Sequence, residues 1–332
     1  ARIAATQMRI LMLAIFGVGL GILLAIIFGS NITKPLSVLK RGAEILATGD
    51  LTHRVQVKTK DEIYDLAQTF NKMAADLQES TKAMIYKERV GKELELAKQI
   101  QDRLLPKEYP KVKGLDICAG IIPAEEIGGD CYDFLMPSDD ELMFYLGDVT
   151  GHGVPSGIVV SIANALFYSK AGRKNLDVIL AEVNDVLKAK TTPNMFITLV
   201  LMRWLIEEQK FSYVSAGHEK IIHYKAAQGK AEFLASGGLA LGMIKDVSKL
   251  LQIRDVELGK GDVLFIYSDG IPEAWRNEKE MYGVENLRAM VEKYAQFEDA
   301  LSIRNALLAD VYIYRQGYKQ MDDMTCIVVK KT

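Results

Sequence analysis

The sequence predicts an α+β domain carried behind a membrane-length helix and a heptad-patterned helical stalk. Three observations predict it. Residues 10–33 form one uncharged, apolar run. Between residues 63 and 104, apolar positions recur at alternating spacings of 3 and 4. Beyond Lys107 the pattern changes to short β-type runs joined by glycine turns, with paired helices between them.

Composition sets the outer limits. The 332 residues are 49% hydrophobic and 25% charged, a globular balance that excludes wholesale disorder. The net charge of −2 conceals an asymmetry, with +6 over residues 1–60 and −8 over the rest. A basic start fits an anionic membrane face. The acidic remainder has no basic stripe, so no nucleic-acid partner is expected. Cys118, Cys131 and Cys326 are widely spaced without a C-x-x-C pair, which excludes a disulfide scaffold or zinc cluster and fits a reducing cytosol. Cys131 reads as a buried small hydrophobe.

From Ile10 to Thr33 there are 24 uncharged residues. At helical rise they span about 36 Å, enough for a hydrocarbon core of roughly 30 Å. A signal peptide would have a shorter apolar core and an A-x-A site after it; neither is present. A retained transmembrane helix is expected over 8–33, with Gly17 and Gly21 as a weak helix-contact signal. Arg2 and Arg9 nearly balance Lys34, Lys40 and Arg41, so orientation must be read from the module C-terminal to the helix. The chain starts without an initiator Met, and the expectation is a fragment whose sensory part lies upstream.

Lys34-Pro35 is expected to start a new helix, because proline is tolerated in a first helical turn. Leu36, Leu39, Ala43 and Leu46 give it one apolar stripe up to Gly49. Leu51–Val57 reads as extended connector, and acids at Asp61-Glu62 open a second helix. Its stripe is Ile63, Leu66, Phe70, Met73 and Leu77. Two such helices cannot bury their stripes alone; a parallel four-helix bundle from two chains would. In order and spacing, residues 34–82 resemble a HAMP signalling module. The resemblance implies a homodimer, a cytoplasmic location and transmission of an input from the other side of the inner (cytoplasmic) membrane. Val90, Leu94, Ala97, Gln101 and Leu104 continue a coiled-coil linker over 83–106, ended by Pro106. Its seam is offset from the earlier one, and a phase break between Met84 and Val90 is a place to store a two-state switch.

The domain over 107–332 is long enough for a substantial core. Strands are expected at Leu115–Ile122, Cys131–Leu135, Leu142–Val149, Met195–Leu205, Phe211–Ser215, Ile221–Tyr224, Leu250–Val256, Val263–Tyr267 and Thr325–Val329. Helices are expected at Pro155–Ala171, Leu176–Lys188, Glu285–Tyr294 and Ala300–Tyr314. Acids sit where the hydrophobic runs stop: Asp130 before a strand, Asp148 and Asp269 after apolar runs, Asp322-Asp323 before the last. A lone Asp at such a place is usually a turn former or cap. Four in one domain are harder to dismiss. If they converge, their repulsion is relieved by two divalent cations, and all-oxygen ligation favours Mg²⁺ or Mn²⁺ over zinc. A cation pair can activate a water for in-line attack on phosphorus.

At these residues the sequence resembles a known family. Gly128-Gly129-Asp130-Cys131-Tyr132-Asp133, Gly147-Asp148-Val149-Thr150-Gly151-His152-Gly153, Ser215-Ala216-Gly217-His218, Ser268-Asp269-Gly270 and Asp322-Asp323-Met324-Thr325 together resemble the SpoIIE/RsbU-like group of metal-dependent PPM Ser/Thr protein phosphatases. The likeness extends upstream to about residue 94. It implies an αββα sandwich of two antiparallel sheets flanked by helices, and a phosphoserine or phosphothreonine protein as substrate, commonly an anti-sigma-factor antagonist. By motif, it implies Asp148 bridging both metals, the Val149 carbonyl on the second, Asp269 and Asp322 on the first, and Asp130 binding directly or through water. Asp148 and Asp269 thus carry the catalysis through the metal-bound water. Asp322 is preferred to Asp323; Asp133 and His218 are read as structural.

Two departures stand out. Eukaryotic relatives have a His two residues after the bridging Asp, where this chain has Thr150, with His152 two further on. They also have a phosphate-binding Arg, and Ile121–Glu126 holds none. Rival outputs after a HAMP module fare worse. Gly128-Gly129-Asp130 lacks the Glu-Phe that would complete a diguanylate-cyclase signature, no His follows His53 before His152 to accept phosphate as in a histidine kinase, and there is no P-loop. The alternative of another class is a catalytically silent phosphatase fold that relays membrane signals by sequestering its partner. Control is expected to run from the helical rod to the helices after Gly153, and so to the metal site.

Overall fold

The computed structural model describes residues 2–172 and 175–332. The chain divides into two compact units, Ala1–Lys92 and Glu93–Thr332. In the first, α1 (Arg2–Phe28) passes through five residues of π-helix, Gly29–Thr33, directly into α2 (Lys34–Ala47). The helix break expected before Pro35 does not occur. In the widened turn the Lys34 N–H bonds to the Gly29 carbonyl, five residues back. Pro35 sits in the first turn of α2, directly after the π segment, whose wider turn accommodates the ring and the missing N–H, so the helix continues. Residues 6–47 are long and apolar enough to cross a membrane, with mean hydropathy 2.9 over the most apolar stretch and none of it buried.

The connector after α2 begins with a turn at Leu51-Thr52, not the extended chain expected there, and carries no helix or strand over 53–59. Val55 packs on Leu39 and Ala67. Asn71 holds it there, accepting from the Val55 N–H at 2.8 Å and donating to the Val55 carbonyl at 2.8 Å. One carboxamide thereby satisfies both backbone groups of a residue with no neighbouring strand. Asn71 lies on α3 (Glu62–Gln101), a single unbroken helix that ends before Pro106 in a turn at 102–104.

The second unit builds two five-stranded antiparallel sheets. One has the order β1 (Leu115–Ile122), β12 (Met324–Lys331), β9 (Val263–Tyr267), β6 (Ile222–Lys225), β7 (Lys230–Phe233). The other has β2 (Asp130–Ser138), β3 (Glu141–Val149), β4 (Ile197–Leu205), β5 (Lys210–Ala216), β8 (Arg254–Val256). Helices α4 (Val154–Lys170) and α5 (Leu176–Lys190) pack on the second sheet, α6 (Val284–Tyr294) and α7 (Ala300–Arg315) on the first. A small hairpin, β10 (Trp275–Asn277) with β11 (Glu280–Met281), completes the elements. The layers are therefore the αββα sandwich that the resemblance implies.

The period-two rule shows why the strands read as continuous apolar runs. On β3, Met143 and Tyr145 face the α4/α5 layer while Leu142, Phe144 and Leu146 face the other sheet. On β9, Phe265 and Tyr267 face α6/α7 while Leu264 and Ile266 join the inter-sheet core with Ile327 and Val329 of β12. Both faces are dry, so no polar alternation survives. Two expectations need correction. Residues 250–253 are not strand: a short 3₁₀ turn, Ser248–Leu250, precedes Arg254–Val256. Lys230–Phe233 and the Trp275–Met281 hairpin add strands beyond those expected, because they carry charges and lack an apolar run.

Candidate active site

The acids arrive from both sheets. β2 and β3 run antiparallel with Asp130 directly opposite Asp148. Asp269 follows the end of β9, and Asp322 precedes β12. Because β9 and β12 pair, Asp269 and Asp322 come from neighbouring strand ends. Each strand is fixed by its buried residues, so the carboxylate beyond its apolar run has little choice of position. Two glycines allow the close approach. A Cβ on Gly270 would lie 2.1 Å from the Asp323 carbonyl, and one on Gly129 would lie 2.6 Å from the Val149 carbonyl.

Asp148, Asp269 and Asp322 line one cleft of about 260 Å³, together with Val149, Thr150, Glu125 and His152. The Asp269 Oδ1 oxygen is buried without a hydrogen-bond partner. Such an oxygen is costly unless a cation completes it. Burial, then the charges of Asp269 and Asp322, push the Asp148 carboxyl up to about 7. Burial, then Asp322 and Glu273, push Asp269 up to about 6. Burial also raises Asp322. The donors are all oxygens, several of them under mutual repulsion, and that set fits hard divalent cations. As they stand the side chains surround the cleft rather than closing on a point: among the described residues no cluster of three or more His, Cys, Asp or Glu is tight enough to enclose a metal ion.

The adjacent aspartates divide their tasks. Asp323 is buried, and its carboxylate accepts from the backbone N–H of Ala124 at 2.8 Å and of Gly129 at 2.8 Å. It staples the Gly128-Gly129 loop to β12. Asp322 is exposed to the cleft and accepts from the Asp323 N–H at 2.8 Å. Asp130 lies behind the cleft lining, buried, accepting from Ser268 Oγ at 2.6 Å; burial and then Asp148 hold its carboxyl well above the usual range.

The residues read as structural make structural contacts. Asp133 accepts from Asn164 Nδ2 at 3.2 Å, tying β2 to α4. His218 is buried with Nδ1 2.9 Å from Thr198 Oγ1, and burial lowers its pKa to about 4. Cys118, Cys131 and Cys326 are buried and free. Gln101 is a contributor that sequence reasoning misses. Last in α3, it donates to the Gly128 carbonyl at 2.8 Å and accepts from the Gly128 N–H at 3.1 Å. Its sequence signal is a polar residue at an apolar position of the heptad seam.

Comparison with known proteins agrees with this fold. Residues 138–332 match stage II sporulation protein E (SpoIIE), and residues 27–79 match the HAMP domain. The chain is 27% identical over 245 residues to phosphoserine phosphatase RsbU of Bacillus subtilis, covering 74% of this chain and 71% of that protein. It is also 27% identical over 329 residues to protein IcfG of Synechocystis, covering 90% of this chain and about half, 51%, of that protein. Among solved structures, the SiaA-PP2C domain of Pseudomonas aeruginosa superposes with TM-score 0.65 at 18% identity, over 75% of this chain and 98% of that one. The chain belongs to the SpoIIE family, and its large unit is a metal-dependent serine/threonine phosphatase domain of PP2C fold preceded by a HAMP domain.

Proposed function

We propose that the protein is a membrane-anchored, signal-regulated phosphatase that removes phosphate from serine or threonine of a partner protein, an anti-sigma-factor antagonist in kind. The observation that carries this is the joint cleft: acids from two sheets meet there, and the Asp269 Oδ1 oxygen is buried without a partner. Asp148 would serve both of two divalent cations, Mn²⁺ or Mg²⁺, the Val149 carbonyl the second, and Asp269 and Asp322 the first, with Asp130 in support. When bound, the cations supply charge neutralisation and an activated water for in-line attack at phosphorus.

The chain's own residues set up that attack. Asp323 and the two glycines fix the loop, Ser268 orients Asp130, and Gln101 pins Gly128. The reading places the transmembrane helix at 8–33, HAMP at 34–82, a linker at 83–106 and the phosphatase at 107–332. It assigns that phosphatase to the cytoplasmic side of the inner membrane, in a homodimer joined through HAMP and linker. The test is Mn²⁺-dependent phosphate release from a phosphoserine protein by the full chain in detergent. Asp148→Ala and Asp269→Ala should abolish it. Partner binding without turnover, indifferent to chelator, would instead indicate a silent sequestering module.

A further inference from the structure

Hydrolysis of a serine or threonine phosphate leaves an alkoxide, a poor leaving group that needs a proton as the P–O bond breaks. The cleft offers few donors. Thr150, two residues after Asp148, is committed to backbone: its hydroxyl lies 3.2 Å from the Phe196 carbonyl and accepts from the Phe196 N–H at 3.2 Å. His218 is sealed in the core, 5% exposed. No Lys or Arg lines the cleft among the described residues.

His152 does line it, with its side chain 77% exposed. Its Nδ1 lies 2.9 Å from Glu125 Oε2, and Glu125 lines the same cleft. A carboxylate can only accept, so Nδ1 carries the shared proton. That arrangement turns the other nitrogen, Nε2, into the exchangeable one, the same division of labour that a carboxylate imposes on a catalytic imidazole elsewhere.

Building on the phosphatase reading above, we propose that His152 is the general acid for the departing serine or threonine oxygen and that Glu125 is its positioning residue. In the step, the water oxygen bonds to phosphorus while the P–O bond to the side chain breaks. The bonding pair leaves with the side-chain oxygen, which takes the proton from Nε2 of the imidazolium. The water oxygen stays on phosphorus with one proton; its other proton passes to solvent, from which the imidazole is recharged. The sum is phosphoserine plus water giving serine plus hydrogen phosphate.

The test varies the leaving group, using the full chain with Mn²⁺. A phosphoserine peptide needs the proton; p-nitrophenyl phosphate, whose leaving group is a stable phenolate, needs it far less. His152→Gln should lower kcat on the peptide by roughly 10²–10⁴-fold and on p-nitrophenyl phosphate by a much smaller factor. Glu125→Gln should follow the same leaving-group pattern more weakly, in kcat rather than KM. In ¹⁵N NMR it should shift the neutral His152 ring away from the Nδ1–H tautomer. Equal losses on both substrates, no loss on the peptide, or an unmoved tautomer would overturn the assignment while leaving the phosphatase reading intact. Failure of the unaltered protein to hydrolyse either substrate would remove both.

Discussion

In the N-terminal unit Leu66, Met73 and Leu77 remain about half exposed, at 53%, 53% and 48%, whereas in the phosphatase unit Phe144, Trp204 and Phe265 are wholly buried. Both regions are apolar by design of sequence, but only one closes over its own core. The phosphatase unit has two sheets and four helices with which to cover each face. The HAMP unit has two helices and a connector, and uses small Ala67 and Ala74 for its internal contact. What it leaves exposed is an apolar stripe, which the proposed homodimer would cover. The contrast separates a unit that covers its own apolar side chains from one that leaves them open.

That contrast can be sharpened by substitution, starting with the largest effect. Asp148→Asn or Asp269→Asn should cut Mn²⁺-dependent phosphate release roughly 10³-fold, read as initial rate, while circular dichroism stays unchanged. Phe144→Ala should destabilise the phosphatase unit by about 3–5 kcal/mol, read by denaturant titration. Leu66→Asp should do the reverse, leaving phosphatase unfolding where it was while abolishing chemical cross-linking of full-length dimers. If Leu66→Asp lowered phosphatase stability as far as Phe144→Ala, the two units would not be energetically distinct.

The acid cleft marks a second contrast, with the apolar layers around it. Asp148 sits near pH 7 in the fold against 3.8 in an open chain. The folded protein therefore holds a proton that the unfolded one releases between those values. Without cations, its contribution is least harmful below about pH 4, and stability falls as pH rises toward 7. Moving that carboxyl from 3.8 to about 7 corresponds to at most ~4 kcal/mol. The stability difference between the chelated wild type and Asp148→Asn should grow by that order from pH 4 to 8, and added Mn²⁺ should erase it. The smallest expected effect is at Gln101→Ala. It removes both hydrogen bonds to Gly128, costs about 1–3 kcal/mol, and should weaken Mn²⁺ binding by loosening the loop before Asp130.

Much of the site is legible in sequence. The strands bearing Asp148 and Asp269 are buried on both faces, so their apolar runs are continuous and their ends are sharp. Each acid lies two residues past the apolar run, Asp148 after Leu146 in the last pairs of β3 and Asp269 after Tyr267 just beyond β9. Of the two adjacent acids, Asp323 spends its oxygens on the Ala124 and Gly129 N–H groups, while Asp322 is exposed to the cleft. Legibility fails where a residue's task depends on something distant in the chain. Gln101 reaches Gly128 across 27 residues, and Glu125 meets His152 from a separate loop. Pro35 misleads for a different reason: a π turn just before it absorbs the break that proline usually causes.

The proposed function requires acids from two sheets to hold cations jointly. Direct Mn²⁺ binding to the purified full chain, followed by electron paramagnetic resonance, tests it without reference to any substrate. The wild type should take up a spin-coupled Mn²⁺ pair, with Asp148→Asn losing the coupling and Asp269→Asn losing an ion. Uptake identical in the wild type and both variants, or no uptake at all, would contradict it.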